Sequence, residues 1–335
     1  MTLCTIAQVL NQPLMTNNPA RPVAWLNDLL LEADAGIKSY LKRDIELGAY
    51  VDCYDGMNQM DLVIRQRPVW MAQTNLVAPS IGAVLPQSTI NVVSTAGFNP
   101  GTGGNPNCQA PIIGVTTGNS TFSWVTYTGT TPTSFTGCSG GSGTLQNLPA
   151  TGPVATNPVS VYSPVIWYDP SSARGQSPTA FASGTQYLLG AHYMVITDMQ
   201  GRGSSSPLPV GVQASKRGLI RRWGGGPAQF AGFLWPQNYY GDKLAGARHP
   251  CWPIGDGAVK VAWSAGYLQV PADLAGACAK LVSQLVRINP TGRDMSSENL
   301  GAYSYSVLSE AADPELGTIR RILARYRESS WSSGN

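Results

Sequence analysis

Charged residues are scarce in this chain of 335 residues, and histidine is almost absent. Asp, Glu, Lys and Arg together make up 12% of the sequence, about half the share that is usual in globular proteins. The net charge of +3 is too small to indicate a nucleic-acid or membrane partner from the total alone. The two histidines, His192 and His249, lack the neighbouring partners that a catalytic triad or an imidazole metal site needs.

Three further absences narrow the class of protein. None of the six cysteines belongs to a CxxC motif, which excludes the common zinc and thioredoxin spacings. No apolar run reaches about 18 residues, so no transmembrane helix is predicted. The N-terminus lacks a basic region and a clear cleavage site, so we expect no signal peptide. Cys108 and Cys138 share one segment and could pair, although a chain without an export signal disfavours a disulfide.

Motifs for catalysis and phosphate binding are also missing. The glycine-rich stretches 140–143 and 224–226 lack the lysine and the strand–helix context of a phosphate loop. Asp52 and Asp55 could act as paired carboxylates, but an Asp-Gly turn at the end of a hairpin explains them better. We therefore expect no enzymatic activity, no cofactor and no bound metal.

The strongest pattern in the chain runs from Gly257 to Ile288. Its first part alternates apolar residues with Lys260 and Ala262, which predicts a half-buried strand. Pro271 and Asp273 then suit the first turn of a helix. A continuous apolar face predicts that this helix is long and amphipathic; it comprises Leu274, Cys278, Leu281, Val282, Leu285 and Ile288.

Other elements follow from the same periodicities. Residues 20–41 carry a broad apolar stripe that predicts a helix, and a hairpin is predicted from Tyr50 through an Asp55-Gly56 turn to residues 62–64. Asp313-Pro314 opens a last predicted helix with one apolar face. Further strands are predicted over residues 159–168, 186–196 and 214–223.

The segment from Pro68 to Tyr168 contains no Asp, Glu, Lys, Arg or His at all. Clusters of apolar and β-branched residues recur in it between turn residues, which predicts an inserted all-β domain over residues 76–158. The rest of the chain, residues 1–75 and 159–335, is predicted to form one discontinuous core. The predicted β clusters lie at residues 90–93, 112–115, 122–127 and 135–138.

Two clusters of positive charge stand out in this otherwise weakly charged chain. Such clusters can contact phosphates or the acidic face of a partner, and they can equally form solvated faces with local counter-ions. The first comprises Lys216, Arg217, Arg221 and Arg222, and the second comprises Arg320, Arg321, Arg325 and Arg327.

Several segments occur in a fixed order along residues 1–70 and 159–328: TIAQVL, SYLKRDI, LVIRQRPV, GTQYLLGAHYMV, SKRGLIRR, GAVKVAWSAGYLQVPADLAGACAKLVSQLV and SSENLGAYSYS. This series resembles the head-to-tail connector proteins of tailed bacteriophages, also called adaptor or head-completion proteins. The junction VAWSAGY–VPADL and the segment SENLGAYSYS are its most specific parts. The uncharged insert separately resembles a small β module of phage virion proteins, through residues 96–101 and 125–144.

The resemblance implies an α+β fold, with a helical connector core, β-hairpins or a small sheet, and the inserted all-β domain. It implies a structural virion protein that forms a ring of about twelve copies. The ring joins the portal protein to a downstream neck or tail-completion protein and extends the DNA channel after packaging. DNA would pass without sequence specificity, and no membrane is involved. The implied location is the virion neck, with the host cytoplasm during assembly.

The resemblance also implies roles for the two basic clusters. In that family the C-terminal segment reaches the portal, which by position corresponds here to the helix over residues 313–328. The alternative is that this helix packs back on the helix 271–288. Lys216, Arg217, Arg221 and Arg222 would line the DNA channel or a contact between subunits. The predicted portal-docking residues are Ile319, Arg320, Arg321, Ile322, Leu323, Arg325 and Tyr326.

The insert supports a second hypothesis from another class of protein. A surface without charge cannot bind DNA by neutralising phosphates, so we expect the insert to face away from the channel. Its polar surface, with Trp124 and Tyr127, could instead make the protein a carbohydrate- or surface-binding β module on a virion or a cell-surface protein. An enzyme with an unrecognised site is the third hypothesis, and a pocket with convergent titratable groups would favour it.

Overall fold

The described residues form two compact units. Residues 1–46 and 267–335 belong to the helical unit, and residues 47–266 belong to the β unit. The computed structural model describes residues 2–16, 22–56, 59, 61–101, 109–118, 121–147, 160–169, 181, 186–187, 193–196, 203–204, 218–222, 251–252, 256–288 and 314–327.

The helices of the described chain all lie in the helical unit, near the two ends of the sequence. The three long predicted helices are confirmed, with shifts of a few residues at their N-terminal ends. The helices are α1 (Ile6–Leu10), α2 (Pro13–Thr16), α3 (Val23–Leu41), α4 (Ala272–Ile288) and α5 (Pro314–Tyr326).

Helix α4 is the centre of the helical unit, because α1, α2, α3 and α5 all contact it. On its apolar face Leu274, Cys278 and Val282 are buried and Leu281 and Leu285 are partly buried, in agreement with their helical spacing. The α3 stripe and two side chains of α5 complete one continuous core. Its members include Leu26, Leu30 and Ile37 of α3, Leu274, Cys278 and Val282 of α4, and Ile319 and Leu323 of α5.

A buried ionic cluster joins α3 to the segment that follows it. The Lys38 ammonium lies 2.9 Å from an Asp34 carboxylate oxygen and 2.8 Å from one of Glu46. The other Asp34 oxygen accepts the backbone N–H of Leu3 at 3.1 Å. Burial lowers the pKa of Lys38, but the hydrogen bonds to Glu46 and Asp34 outweigh it and leave that pKa raised.

The β unit consists of short strands. In chain order they are β1 (Gly48–Tyr54), β2 (Asp61–Val63), β3 (Ala72–Thr74), β4 (Val84–Leu85), β5 (Thr89–Asn91), β6 (Ile112–Thr117), β7 (Thr121–Thr126), β8 (Gly129–Thr131), β9 (Ser134–Thr136), β10 (Gly143–Thr144), β11 (Val161–Ser163), β12 (Val165–Tyr168), β13 (Gln186–Tyr187), β14 (Tyr193–Ile196), β15 (Gly203–Ser204), β16 (Leu219–Arg222) and β17 (Val259–Ala265).

These strands form small antiparallel sheets. Among the described residues the strand orders are β1-β17-β12-β13, β3-β11-β6-β7, β15-β14-β16-β2, β5-β9-β8 and β10-β4. Pro164 separates β11 from β12, which belong to different sheets. A proline there has no N–H for a ladder bond, so the predicted strand over residues 159–168 is divided in two.

Strand β17 lies inside its sheet and is buried on both faces. Val259, Val261 and Trp263 pack in one hydrophobic cluster, and Ala262 packs in another with Val165 and Trp167. The strand at this position is therefore confirmed, but its prediction as half-buried is wrong. The alternation in the sequence gave the wrong result because Ala262 is small enough to be covered by side chains from β12.

The predicted hairpin of residues 50–64 is also wrong. Strand β1 pairs along its whole length with β17, from Gly48 opposite Ala265 to Tyr54 opposite Val259. Strand β2 pairs instead with β16 in a different sheet. The Asp55-Gly56 turn signal is local, whereas the pairing of β1 with β17 packs the partly buried Tyr50 and Tyr54 rings beside Trp263.

The uncharged segment has its own hydrophobic cluster, as its recurring apolar residues predict. Strands occur at all of its predicted β clusters. The Gly114 backbone packs so closely on the Tyr162 ring that a Cβ atom at this position would lie 2.5 Å from a ring carbon. The cluster includes Leu76, Ile90, Ile113, Val115, Val125, Tyr127, Phe135, Leu145 and Val161.

The predicted fold class, a helical connector core with hairpins and a small sheet, is wrong. Most elements of the described chain are β-strands in several small antiparallel sheets, and the helices are few. The physical reason is that amphipathic helices occupy only the two ends of the sequence. The described elements between α3 and α4 are strands, on both sides of the uncharged segment as well as within it.

We expect the Lys38→Met substitution to destabilise the helical unit by about 3 kcal/mol, because it leaves two buried carboxylates without their cation. The folded pKa of Lys38 lies above its ordinary value of 10.5, so its stabilisation is complete at neutral pH and is lost only as pH rises through the folded pKa. Urea unfolding followed by circular dichroism measures the change.

Two further variants separate charge from packing. The triple variant Lys38→Met, Asp34→Asn, Glu46→Gln should recover most of the lost stability, because no uncompensated charge then remains. Lys280→Met, on half-exposed α4 surface, should change stability by less than about 0.5 kcal/mol. Equal effects of Lys38→Met and Lys280→Met would contradict the ionic role of Lys38.

Candidate functional site

A cavity of about 240 Å³ lies beside strand β1 in the β unit. It combines charged, amide and aromatic side chains, which is typical of sites that bind polar ligands. The residues that line it are Ala49, Tyr50, Val51, Asp52, Arg65, Gln66, Gln109 and Trp263.

Two aromatic residues, Tyr50 and Trp263, line this cavity, and Tyr54 packs beside Trp263. The ring centroids of Tyr50 and Trp263 are 5.8 Å apart, and those of Tyr54 and Trp263 are 6.0 Å apart. The Trp263 indole N–H donates to the backbone oxygen of Gln66 at 3.2 Å. Because Trp263 is buried and hydrogen-bonded, the wall is held in place before any ligand binds.

The charged groups of the cavity are loosely paired. An Arg65 guanidinium nitrogen lies 3.6 Å from an Asp52 carboxylate oxygen, and the two side chains are 79% and 41% exposed. The other Asp52 oxygen accepts the backbone N–H of Cys53 at 2.9 Å. An ion pair this exposed contributes little to stability, so Arg65 can change partners at small cost.

The first predicted basic cluster is only partly described, since Lys216 and Arg217 lie outside the described residues. Arg221 and Arg222 are neighbours in β16, and their side chains have different surroundings. Arg221 binds both carboxylate oxygens of Asp61, with nitrogen–oxygen distances of 2.7 and 2.8 Å. This hydrogen bonding to Asp61 raises the pKa of Arg221. The role of the cluster in a channel or a subunit contact stays a prediction.

Arg222 is buried among aromatic rings. Its guanidinium carbon lies 4.1 Å from the ring centroid of Tyr187 and 5.8 Å from that of Trp252. Burial lowers the pKa of Arg222, and the nearby tyrosines act in the opposite direction. The described part of the cluster is therefore engaged within the β unit and presents no continuous basic surface.

The second cluster lies on α5, where the predicted portal-docking residues divide into two sets. Ile319 and Leu323 are buried in the helical core, and Ile322 and Tyr326 pack against it partly buried. Helix α5 therefore packs on α4, which is the alternative to portal docking given above. The arginines of the set, Arg320, Arg321 and Arg325, are exposed.

The C-terminal end of α5 is fixed by polar contacts. The Tyr326 hydroxyl donates to an Asp273 carboxylate oxygen of α4 at 2.6 Å. Burial, together with this hydrogen bond, raises the pKa of Tyr326. The Arg327 guanidinium lies 5.2 Å from the ring centroid of Tyr40. The apolar side of α5 is thus packed against the helical unit, and its arginine side faces outward.

The aromatic pair of the insert does not form a surface platform. Tyr127 is 1% exposed, and its hydroxyl donates to the backbone oxygen of Asn99 at 2.8 Å. Burial raises the pKa of Tyr127. Trp124 is partly exposed and packs edge-on against Trp167, with centroids 6.4 Å apart. Of the two residues, only Trp124 could contact a carbohydrate.

The described cysteines are free thiols in different environments. Cys138 is buried, and burial raises its pKa to about 11. Cys4 and Cys278 are buried in the helical core, and their hydrogen bond to each other raises the pKa of Cys278. Cys53 on β1 is exposed. Cys108, the predicted partner of Cys138, lies outside the described residues.

The described residues contain neither a clustered set of metal-ligating side chains nor a membrane-spanning helix. No group of three or more His, Cys, Asp or Glu side chains there is arranged to hold a metal ion. None of the helices that the structure describes has the length and apolar composition needed to span a membrane.

Sequence reasoning missed this cavity, because its residues come from separate segments. Asp52 was assigned to the end of a hairpin, and Arg65 and Trp263 were assigned no role in a site. The available signal was the alternation of Tyr50, Asp52 and Tyr54, which places two aromatic rings and a carboxylate on one face of a strand.

Comparison of the chain with protein-family models, with curated proteins and with solved structures finds no match in any of the three.

We expect iodoacetamide at about pH 8 to modify Cys53 well before Cys138, because the thiolate is the reactive form and burial disfavours it at Cys138. Peptide mapping by mass spectrometry of the native chain measures both rates. In denaturant the two rates should become similar. Native modification of Cys138 as fast as that of Cys53 would contradict its buried position.

Proposed function

We propose that this chain is a structural protein of a tailed-phage particle, a head-to-tail connector that joins the portal to the neck as a ring. The observation that carries the proposal is the segment VAWSAGYLQVPADL, one of the two most specific parts of the resemblance. It begins in β17 and ends in the first turn of α4, which are central elements of the two units. This part of the resemblance therefore includes scaffold elements of the chain, while the other specific segment, SENLGAYSYS, lies outside the described residues.

The proposal does not require a helical core. A ring subunit needs two complementary surfaces that repeat from copy to copy, and strands can supply these as well as helices. The connector role is thus compatible with a chain that is mostly β-strand.

Helix α5 supports a role in contacting the portal through charge. Arg321 and Arg325 are exposed, while Ile319 and Leu323 hold the helix in its own unit. The helix would bind an acidic surface of the portal by its arginine side, without leaving α4. Rim charges of this kind affect mainly the rate and specificity of association.

Electron microscopy of the full chain mixed with the intact portal tests the proposal. We expect rings that lie coaxially on the portal. Absence of any association, with portals that are intact in the same images, would overturn the connector role.

We expect Arg321→Glu to reduce the fraction of portals that carry a ring by about tenfold at subsaturating protein, because it places like charges opposite each other. Lys42→Glu is the matched control, since Lys42 is an exposed basic residue of the same unit, and it should leave the fraction unchanged. If Arg321→Glu behaves like Lys42→Glu, α5 does not contact the portal through its arginines.

A further inference from the structure

Strand β1 lies at the edge of its sheet. Its neighbour in the described chain is β17 on one side only. An edge strand exposes backbone N–H and C=O groups that can pair with another extended chain. The edge of β1 is therefore a potential interaction surface, and the direction of each backbone group decides how much of it is available.

The hydrogen bonds of β17 show which groups of β1 face outward. The Ser264 carbonyl accepts the N–H of Trp70 at 2.9 Å, on the side of β17 away from β1. Ser264 is paired with Ala49, so these two residues form a pair without mutual hydrogen bonds. Such pairs alternate with hydrogen-bonded pairs along an antiparallel ladder. The backbone groups of Ala49, Val51 and Cys53 therefore face the open edge.

Two contacts at the edge agree with this assignment. The Ala49 carbonyl accepts the N–H of Gln109 at 3.2 Å, and the Cys53 N–H donates to its neighbour Asp52 at 2.9 Å. Between them, the N–H and C=O of Val51 have no partner among the described residues. At Val51 an added strand can therefore accept one hydrogen bond from the N–H and donate one to the C=O.

The cavity lies next to this open position. Ala49 and Val51 line it together with Tyr50 and Asp52, although successive side chains of a strand point to opposite faces. The cavity must therefore open along the edge of β1. When a strand is added to a sheet edge, its backbone supplies affinity and its alternate side chains enter pockets that supply specificity.

The charges of the cavity indicate which side chain would enter. Asp52 has one oxygen bound to the Cys53 N–H and the other near Arg65. The Arg65 side chain is 79% exposed, and its guanidinium nitrogen lies 3.6 Å from the Asp52 carboxylate, which is long for an ion pair. Arginine carries five N–H donors in a planar array that matches a carboxylate. Beyond its long contact with Asp52, Arg65 therefore keeps N–H donors that can bind a second carboxylate.

We propose that the open edge of β1 binds an extended acidic segment of a partner protein by strand addition. The N–H and C=O of Val51 pair with the backbone of the segment, and an Asp or Glu side chain enters the cavity and pairs with Arg65. The site is independent of the connector role, because it rests on β1 and its cavity alone.

Fluorescence anisotropy with the full chain tests this site. The probe is a fluorescein-labelled peptide as long as β1, seven residues, that alternates Thr and Val and carries one central Glu. One control peptide has Lys in place of Glu. A second control is N-methylated at alternate residues, so that it cannot donate ladder bonds to the edge.

We expect saturable binding of the Glu peptide with a Kd below about 1 mM, and at least about tenfold weaker binding of both controls. Arg65→Glu should reverse the preference, so that the Lys peptide binds more tightly than the Glu peptide. Lys42→Glu, at an exposed basic residue of the helical unit with no assigned binding role, is the matched control and should bind the peptides as the unsubstituted chain does.

Val51→Pro tests the backbone part of the site. Proline removes the outward N–H while the bonds between β1 and β17 are retained, so binding of the Glu peptide should be lost. If this variant does not fold, Arg65→Glu still decides the question. No saturable binding of the Glu peptide, equal binding of the N-methylated peptide, or an unchanged preference in Arg65→Glu would each overturn the proposal.

Discussion

The pairing of β1 with β17 is the interaction on which the β unit depends. It joins Gly48–Tyr54 to Val259–Ala265 in seven consecutive residue pairs, across more than half the sequence. Closing so long a loop costs conformational entropy, and burial of Val259, Val261 and Trp263 offsets that cost. The same pairing brings Trp263 against Tyr50 and leaves Val51, on the opposite edge of β1, without a backbone partner among the described residues.

Few charges are available in this chain, and the described ones are used in distinct ways. Lys38 is held tightly between two buried carboxylates, and Arg221 is held by both oxygens of Asp61. Arg65 and Asp52 are different, since their contact is long and both are substantially exposed. The loosest of these ion pairs lies in the cavity, which is why we assign a binding role to Arg65 and a structural role to the others.

Local periodicity correctly predicted the helices and strands whose patterns lie within one short stretch of sequence. The stripes of α3, α4 and α5 gave three helices, and the apolar clusters of the uncharged segment gave its strands. The fold class failed because key strands outside that segment pair over long distances that no local pattern records, as β1 does with β17 and β2 with β16. Tyr50 and Asp52 were assigned to a hairpin by the nearby Asp55-Gly56 signal, although their partners are Trp263 and Val261.

The basic cluster of β16 shows a second limit of sequence reasoning. Arg221 and Arg222 are adjacent in sequence, which suggested one positive surface. On a strand, adjacent side chains point to opposite faces, so Arg221 reaches Asp61 and Arg222 packs on Tyr187. The cavity shows the opposite case, in which residues distant in sequence come together. Asp52, Arg65 and Trp263 become neighbours only after β1 pairs with β17, so the sequence did not predict the cavity.

Amide hydrogen exchange along β1 in the full chain is the most direct test of this account. The N–H groups of Tyr50 and Asp52 point to β17 and should be protected, whereas that of Val51 faces the open edge and should exchange at least about a hundredfold faster. Protection of Val51 equal to that of Asp52 in the unliganded chain would show that the edge is already covered, and would contradict the account.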